Sequence, residues 1–326
     1  MPVSNTTNLG PTTVQGVPVL GGGIPASPGR YLFVDYTNGN DGVTATTSSV
    51  SNPYKTIAAA YAAMRDGYDD VMVLIGSATH VLTEMLNVTK NRVHFVGMDG
   101  TYGRLYGQNA KISIGVTTAA TDIAAVQNTG IRNSFTNIKF ISNNTVTEGI
   151  YTFAEGGEYS VFTNCEFYKS TDLDQTAAAE FLANGDSSQF FGCTFGSLAD
   201  IVADNVIRPC FKATATLAGK KLRDNVLINC MFWRKAGGTE AVMVYGANAT
   251  DVERLLLLKN CTFVNSTLAA ADPAHAVGFG GAQTEGVVLL QDCASTRCTV
   301  MAQASVGIGV AGAVPTFATT GVSVFS

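Results

Sequence analysis

Five stretches of the chain fall on one six-residue template: an aromatic or Leu, any residue, Asn or Gly, Cys or Ile, any residue, and Phe. They are Phe135-Thr136-Asn137-Ile138-Lys139-Phe140, Phe162-Thr163-Asn164-Cys165-Glu166-Phe167, Phe190-Phe191-Gly192-Cys193-Thr194-Phe195, Leu227-Ile228-Asn229-Cys230-Met231-Phe232 and Leu258-Lys259-Asn260-Cys261-Thr262-Phe263. A degenerate sixth, Leu290-Gln291-Asp292-Cys293, keeps the turn residue and the cysteine and loses the Phe. Counted between turn residues, the periods are 27, 28, 37, 31 and 32 residues. A stack of helices would lose its packing register under such variation, whereas a stack of strands loops the extra residues outward and keeps its core, so the repeat predicts a β-solenoid.

Each template position has a physical reading. Asn, Asp and Gly tolerate left-handed backbone angles, so they suit a sharp bend between two strands. The cysteine and the Phe two residues later point to the same face of the following strand. Stacked coil on coil, Cys165, Cys193, Cys230, Cys261 and Cys293 form an interior ladder, and Phe140, Phe167, Phe195, Phe232 and Phe263 an aromatic stack beside it. Seven cysteines, an odd number with no Cys-x-x-Cys pair, read as packing residues rather than as a disulfide framework, zinc site or redox centre.

Upstream, Tyr31-Leu32-Phe33-Val34-Asp35 reads as a strand, Asn38-Gly39-Asn40-Asp41-Gly42 as tight turns, and Val71 to Gly76 as a buried strand. Between them, Ile57, Tyr61 and Met64 share a helical face, which predicts one short helix from Thr56 to Arg65. Residues 1–30, rich in Gly and Pro after a polar start, read as an extended arm; residues 31–304 as the β-helix; and residues 305–326, a Gly, Ala, Val and Thr segment, as a β cap or oligomer contact.

The order strand, Asn-Gly turn, Pro53-Tyr54-Lys55-Thr56-Ile57, Ala-rich helix and buried strand resembles the leading segment of pectate-lyase-like right-handed parallel β-helix proteins, among them phage tailspikes and virion proteins. The resemblance implies that the helix caps the N-terminal end of the solenoid, where an apolar cross-section and a free strand edge would otherwise meet water. It further implies a phage virion subunit forming a homotrimer, with the N-terminal arm reaching the major capsid protein or another virion protein. A capsid decoration or cement protein is expected first. A glycan-binding tailspike or fibre-like adhesin and a polysaccharide-degrading enzyme are the alternatives.

A net charge of −5 and scattered Lys and Arg lack a phosphate-backbone footprint, so nucleic acid is not an expected partner. No apolar run approaches the roughly 20 residues of a membrane helix, and Met1 to Gly10 has neither the basic nor the apolar region of an export signal. No membrane partner is expected; the expected location is the virion, after assembly in the host cytoplasm. Asn-x-Thr triplets such as Asn87-Val88-Thr89 arise by chance in a chain rich in both residues.

Glycosidase chemistry needs two carboxyl groups roughly 5 to 9.5 Å apart. The candidates Glu155 with Glu158, Asp172 with Asp174, and Glu180 with Asp186 read as solvated loop acids, since no pair recurs at coil spacing. Trp233 is a lone aromatic platform, His80, His94 and His275 are far apart, and Asp35, Asn38, Asn40 and Asp41 read as turn formers rather than calcium ligands. The expectation is therefore no enzyme, no catalytic, cofactor or metal residues, and no cofactor.

Overall fold

The computed structural model describes residues 13–14, 17–18, 27–75, 78–98, 110–114, 123–142, 151–169, 178–202, 208–214, 221–236, 242–248, 250–266, 274–280, 285–303 and 322–325; for 13–14, 17–18, 197–202, 236 and 322–325 it describes the backbone alone. The chain winds as a right-handed parallel β-solenoid. Each coil gives one strand to each of three parallel sheets, of ten, eight and eight strands among the described residues.

The first sheet runs from Tyr31–Val34 through Val71–Leu74, His94–Gly97, Ser134–Thr136, Val161–Thr163, Gln189–Phe191, Asn225–Ile228, Leu255–Lys259 and Val287–Gln291 to Val322–Phe325. The second begins at Thr79–Leu82 and Lys111–Ile114 and carries the Phe of each repeat, as in Glu166–Lys169 and Met231–Ala236. The third includes Leu86–Val88, Ala124–Asn128, Tyr151–Glu155, Ala179–Ala183 and Phe211–Ala213.

The template marks the corner between the first and second sheets. Asn137, Asn164, Gly192, Asn229, Asn260 and Asp292 all take left-handed φ between 51° and 62°, as their chemistry predicts. The cysteine after each corner turns inward. The Sγ of Cys165 donates to Phe135 O in the coil below at 3.3 Å, and Cys193, Cys230, Cys261 and Cys293 repeat the contact at 3.4 to 3.6 Å. These bonds occupy the thiols as ladder donors, and all seven cysteines are free. Burial holds the Cys193 and Cys230 thiols well above their ordinary pKa.

Three aromatic columns fill the interior, where the repeat had predicted one. Phe95, Phe135, Phe162 and Phe190 stack on the first sheet; Phe140, Phe167, Phe195, Phe232 and Phe263 on the second; Phe153, Phe181 and Phe211 on the third. Rings stack within a column 4.7 to 5.4 Å apart and meet edge to face between columns, as at Phe167 and Phe181, 4.7 Å and 75°. Both geometries suit the aromatic quadrupole.

The predicted helix is present and shorter, Ile57–Ala63. Asp41 accepts from Lys55 N, Thr56 N and Thr56 Oγ1, and Thr56 Oγ1 caps the helix by accepting from Ala59 N at 3.2 Å. Lys90 Nζ ends it by donating to Tyr61 O and Met64 O at 2.6 and 2.7 Å. Ile57, Ala60 and Met64 are buried, and Tyr61 lies over Phe95, so the helix closes the base of the solenoid. Buried Asp70 ties this end together through Arg30 N, Arg65 N and both guanidinium groups.

Of the predicted arm, residues 13–14 and 17–18 form a small antiparallel pair, and most of it lies outside the described residues. Of the predicted C-terminal cap, residues 305–326, Val322–Phe325 adds a strand in parallel to Val287–Gln291, and the rest lies outside the described residues.

Candidate functional site

The carboxylates separate into two kinds, and the reading of Glu155 and Glu180 as solvated loop acids is wrong. Both are 1% exposed. Glu155 ends a third-sheet strand inside the next corner, where Asn128 Nδ2, Ser160 Oγ and Gly157 N donate to it at 2.9 to 3.0 Å. Asn133 extends this network by donating to Asn128 Oδ1 at 2.8 Å and accepting from Val93 N at 3.0 Å. Glu180 forms a two-bond pair with Arg234, Nη1 to Oε1 at 2.9 Å and Nη2 to Oε2 at 2.5 Å, two coils away. Sequence could not show this, because 54 residues separate partners that solenoid winding brings together.

Glu158 and Asp186 lie on the corner leading into the first sheet, in a ladder of backbone bridges from Ile131 through Glu158 and Asp186 to Arg223. The same corner holds a second column of left-handed residues, Asp69, Arg92, Arg132, Tyr159, Ser187 and Asp224, φ 48° to 59°. Glycine and asparagine are absent from it, which is why it left no trace in sequence. Ion pairs run along it: Arg223 with Glu253 at 2.6 Å, Arg254 with Asp224, and Arg92 with Asp69.

Other candidates serve the fold. His94 stands on its predicted strand, with Nδ1 2.8 Å from Ser134 Oγ and Nε2 3.4 Å from Asp69. Asp35 accepts from Thr37 N, Asn38 N and Asn38 Nδ2, and Asn40 Oδ1 from Gly42 N, which spends their oxygens on turns. Trp233 is half-buried on the second sheet beside Val264, and His275 opens a third-sheet strand. Asp172 and Asp174 lie outside the described residues. Among the described residues no group of three His, Cys, Asp or Glu could hold a metal ion, and no helix is long and apolar enough to cross a membrane.

What remains is a surface. In the first sheet, inward residues such as Phe190, Leu227, Leu256, Leu258, Val288 and Leu290 are fully buried, and their strand neighbours face outward. At the base of the sheet those outward positions are apolar, Tyr31, Phe33, Val71, Val73 and Val96, and on the middle coils they are mostly polar, His94, Ser134, Thr136, Thr163 and Gln189, with Val161 among them. From the Gln189–Phe191 strand upward they become Phe191, Val226, Ile228, Leu255, Leu257, Val287 and Leu289, with Lys259 and Gln291 at the edge toward the second sheet. Cross-strand register sets Val226 beside Leu257 and Leu257 beside Leu289, and sets Phe191 beside Ile228 and Leu255 beside Val287. All seven apolar residues are partly exposed. A strand apolar on both sides, such as Leu255–Lys259, belongs in a sheet covered on both faces. The ion-paired corner borders this apolar field, as a polar rim borders an interface core.

No protein-family model matches the sequence, and no curated protein does. Solved structures do match. The pectate lyase Pel9A superposes with a TM-score of 0.55 at 14% identity, over 82% of this chain and 63% of that one. The fold is that of the pectate-lyase-like β-helices. A pectin methylesterase in complex with a hexasaccharide matches at TM-score 0.52 and 12% identity, over 83% of this chain and 80% of that one; the pectin methylesterase of Aspergillus niger matches at 0.50 and 13%, over 92% and 85%. This β-helix thus spans less than two thirds of the pectate lyase's length. The matches also correct the expectation that the chain is no enzyme: its structural neighbours are mostly enzymes, so the fold hints at catalysis, while identities of 12–14% show the fold alone.

Proposed function

We propose that the chain is a structural subunit of a phage particle and works as a homotrimer whose copies meet through the outer face of the first sheet. The observation that carries this reading is the apolar field on the upper coils of that face, from Phe191 to Leu289, above middle coils that are mostly polar. Seven adjoining apolar side chains on a flat sheet lose exposed surface when like faces pack together. The number three, and the placement on a virion with the arm toward a capsid or tail partner, rest on the resemblance of the leading segment to phage β-helix proteins. Multi-angle light scattering at micromolar concentration tests the assembly. A mass three times 34.1 kDa supports it, and a monomer rejects it. Mass spectrometry of purified particles tests the location.

A polysaccharide-directed role is the second reading. It draws on the pectin methylesterase that carries a hexasaccharide on this fold. Incubation with pectin or host capsular polysaccharide, followed by detection of reducing ends, unsaturated uronate or released methanol, tests it.

A further inference from the structure

The second-sheet interior column reads His80, Ile112, Phe140, Phe167, Phe195, Phe232 and Phe263 from the base upward, by strand register. Its lowest member is an imidazole where every other position is apolar. His80 is 2% exposed, and neither Nδ1 nor Nε2 has a hydrogen-bond partner among the described residues. Two ring nitrogens without partners lose their hydration uncompensated, so an empty arrangement is costly for a packing residue.

His80 does not face solid core. It lines a cavity of about 140 Å³ between the capping helix and the first strand of the second sheet. Ile57, Ala58, Leu82, Met85 and Leu86 supply apolar wall, and Tyr36, Thr56, Thr83 and Glu84 supply polar groups. Thr83 and Glu84 are exposed at the mouth, as is Tyr36, whose ring meets the imidazole edge to face at 6.2 Å and 71°. A space of this size holds one six-membered ring.

We infer that this cavity is a binding site for a single neutral, hydroxyl-bearing ring of about one sugar residue, with His80 as its buried recognition group. A neutral imidazole offers one donor and one acceptor on different ring nitrogens, and a ligand hydroxyl, which both donates and accepts, can satisfy whichever nitrogen it meets. The apolar wall suits the C–H face of such a ring, and Glu84 can accept from a hydroxyl at the mouth. An anionic sugar is disfavoured, because Glu84 lies at the mouth and Asp35 acts electrostatically on His80. Burial pushes the His80 pKa down to about 4, against the opposing pull of Asp35, so the ring is neutral at pH 7. This site lies at the base of the solenoid and is independent of the assembly proposed above, so either can fail alone.

Three histidines make the imidazole resonances assignable. The test titrates the full-length protein at pH 7 with methyl glycosides of neutral hexoses, with galacturonate and with Zn²⁺, following ring signals of His80, His94 and His275 by NMR. A ligand of this size should bind with a dissociation constant of about 1 mM. The expected result is a saturable shift of His80 alone with at least one neutral glycoside, weakened about tenfold in Tyr36→Ala, which alters an exposed side chain. Absence of any His80 shift up to saturating glycoside overturns the inference, as does a response confined to galacturonate or Zn²⁺.

Discussion

Asp70 is the residue on which the base of the solenoid depends most. It is fully buried and gathers hydrogen bonds from Arg30 and Arg65, backbone and side chain alike. Although burial pushes its carboxyl pKa upward, those donors prevail and hold it well below the usual carboxylate range. Replacing it by Asn leaves two partly exposed guanidinium groups without their counter-charge and should cost about 1.5–3 kcal/mol in urea unfolding. The sign of the pH dependence follows. Asp70 and His80 both titrate lower in the folded protein, so the native state binds fewer protons than the unfolded one. Their contribution is complete at neutral pH. His80's share fades as pH falls from about 6.5 toward 4, and Asp70's fades below about 4. Urea midpoints should therefore decline in two stages on acidification, and Asp70→Asn should flatten the lower one. Thiol chemistry is a second residue-scale test: Cys165, Cys193, Cys210, Cys230 and Cys261 are buried, so a disulfide reagent should reach only Cys293 and Cys298 before unfolding. Rapid labelling of all seven in native protein would contradict the ladder.

At the level of elements, corners and columns do different work. The Asn corners need a left-handed angle, which Ala adopts at a cost of about 1–2 kcal/mol and Gly adopts freely. Asn229→Ala should lower thermal stability by that amount, and Asn229→Gly should leave it nearly unchanged. Phe181 is where the three columns converge, touching Phe153 and Phe211 face to face and Phe162, Phe167, Phe190 and Phe195 edge on. Phe181→Ala opens a cavity among six rings and should cost about 3–5 kcal/mol, measured by denaturant unfolding. The second-sheet column was legible because its Phe residues sit at a fixed offset from a recognisable corner. The third was not: Phe153, Phe181 and Phe211 follow connections of variable length, so no motif anchors them. The second left-handed corner escaped for a related reason, since Arg92, Arg132 and Tyr159 carry no turn chemistry and take their angle from the pairing on either side.

For the whole molecule, the open face is the outer side of the first sheet. If copies pack there, Leu257→Glu and Leu289→Glu place two charges at its centre without touching the inner core, and should weaken self-association about tenfold or more while far-UV circular dichroism stays unchanged. The mostly polar middle of the same sheet provides a control: Thr136→Glu should leave assembly intact. The fold's enzyme neighbours add a different comparison. On this chain, buried Glu155 and Glu180 are committed to Asn128, Ser160 and Arg234, so a catalytic role would have to be sought elsewhere on the surface.

The sequence alone determined the solenoid, because a corner residue, an inward cysteine and an inward Phe recur at intervals that only stacked strands accommodate. It also determined the capping helix, through Thr56 and the apolar spacing behind it. Tertiary structure decided everything that depends on which coil lies above which. Register brought Arg234 to Glu180 and Asn128 to Glu155, aligned Leu257 with Leu289 on one open face, and placed His80 beneath a Phe column with a cavity at its side. Those neighbours are tens of residues apart in sequence, and the varying loop lengths between coils remove any fixed spacing from which their contact could have been read.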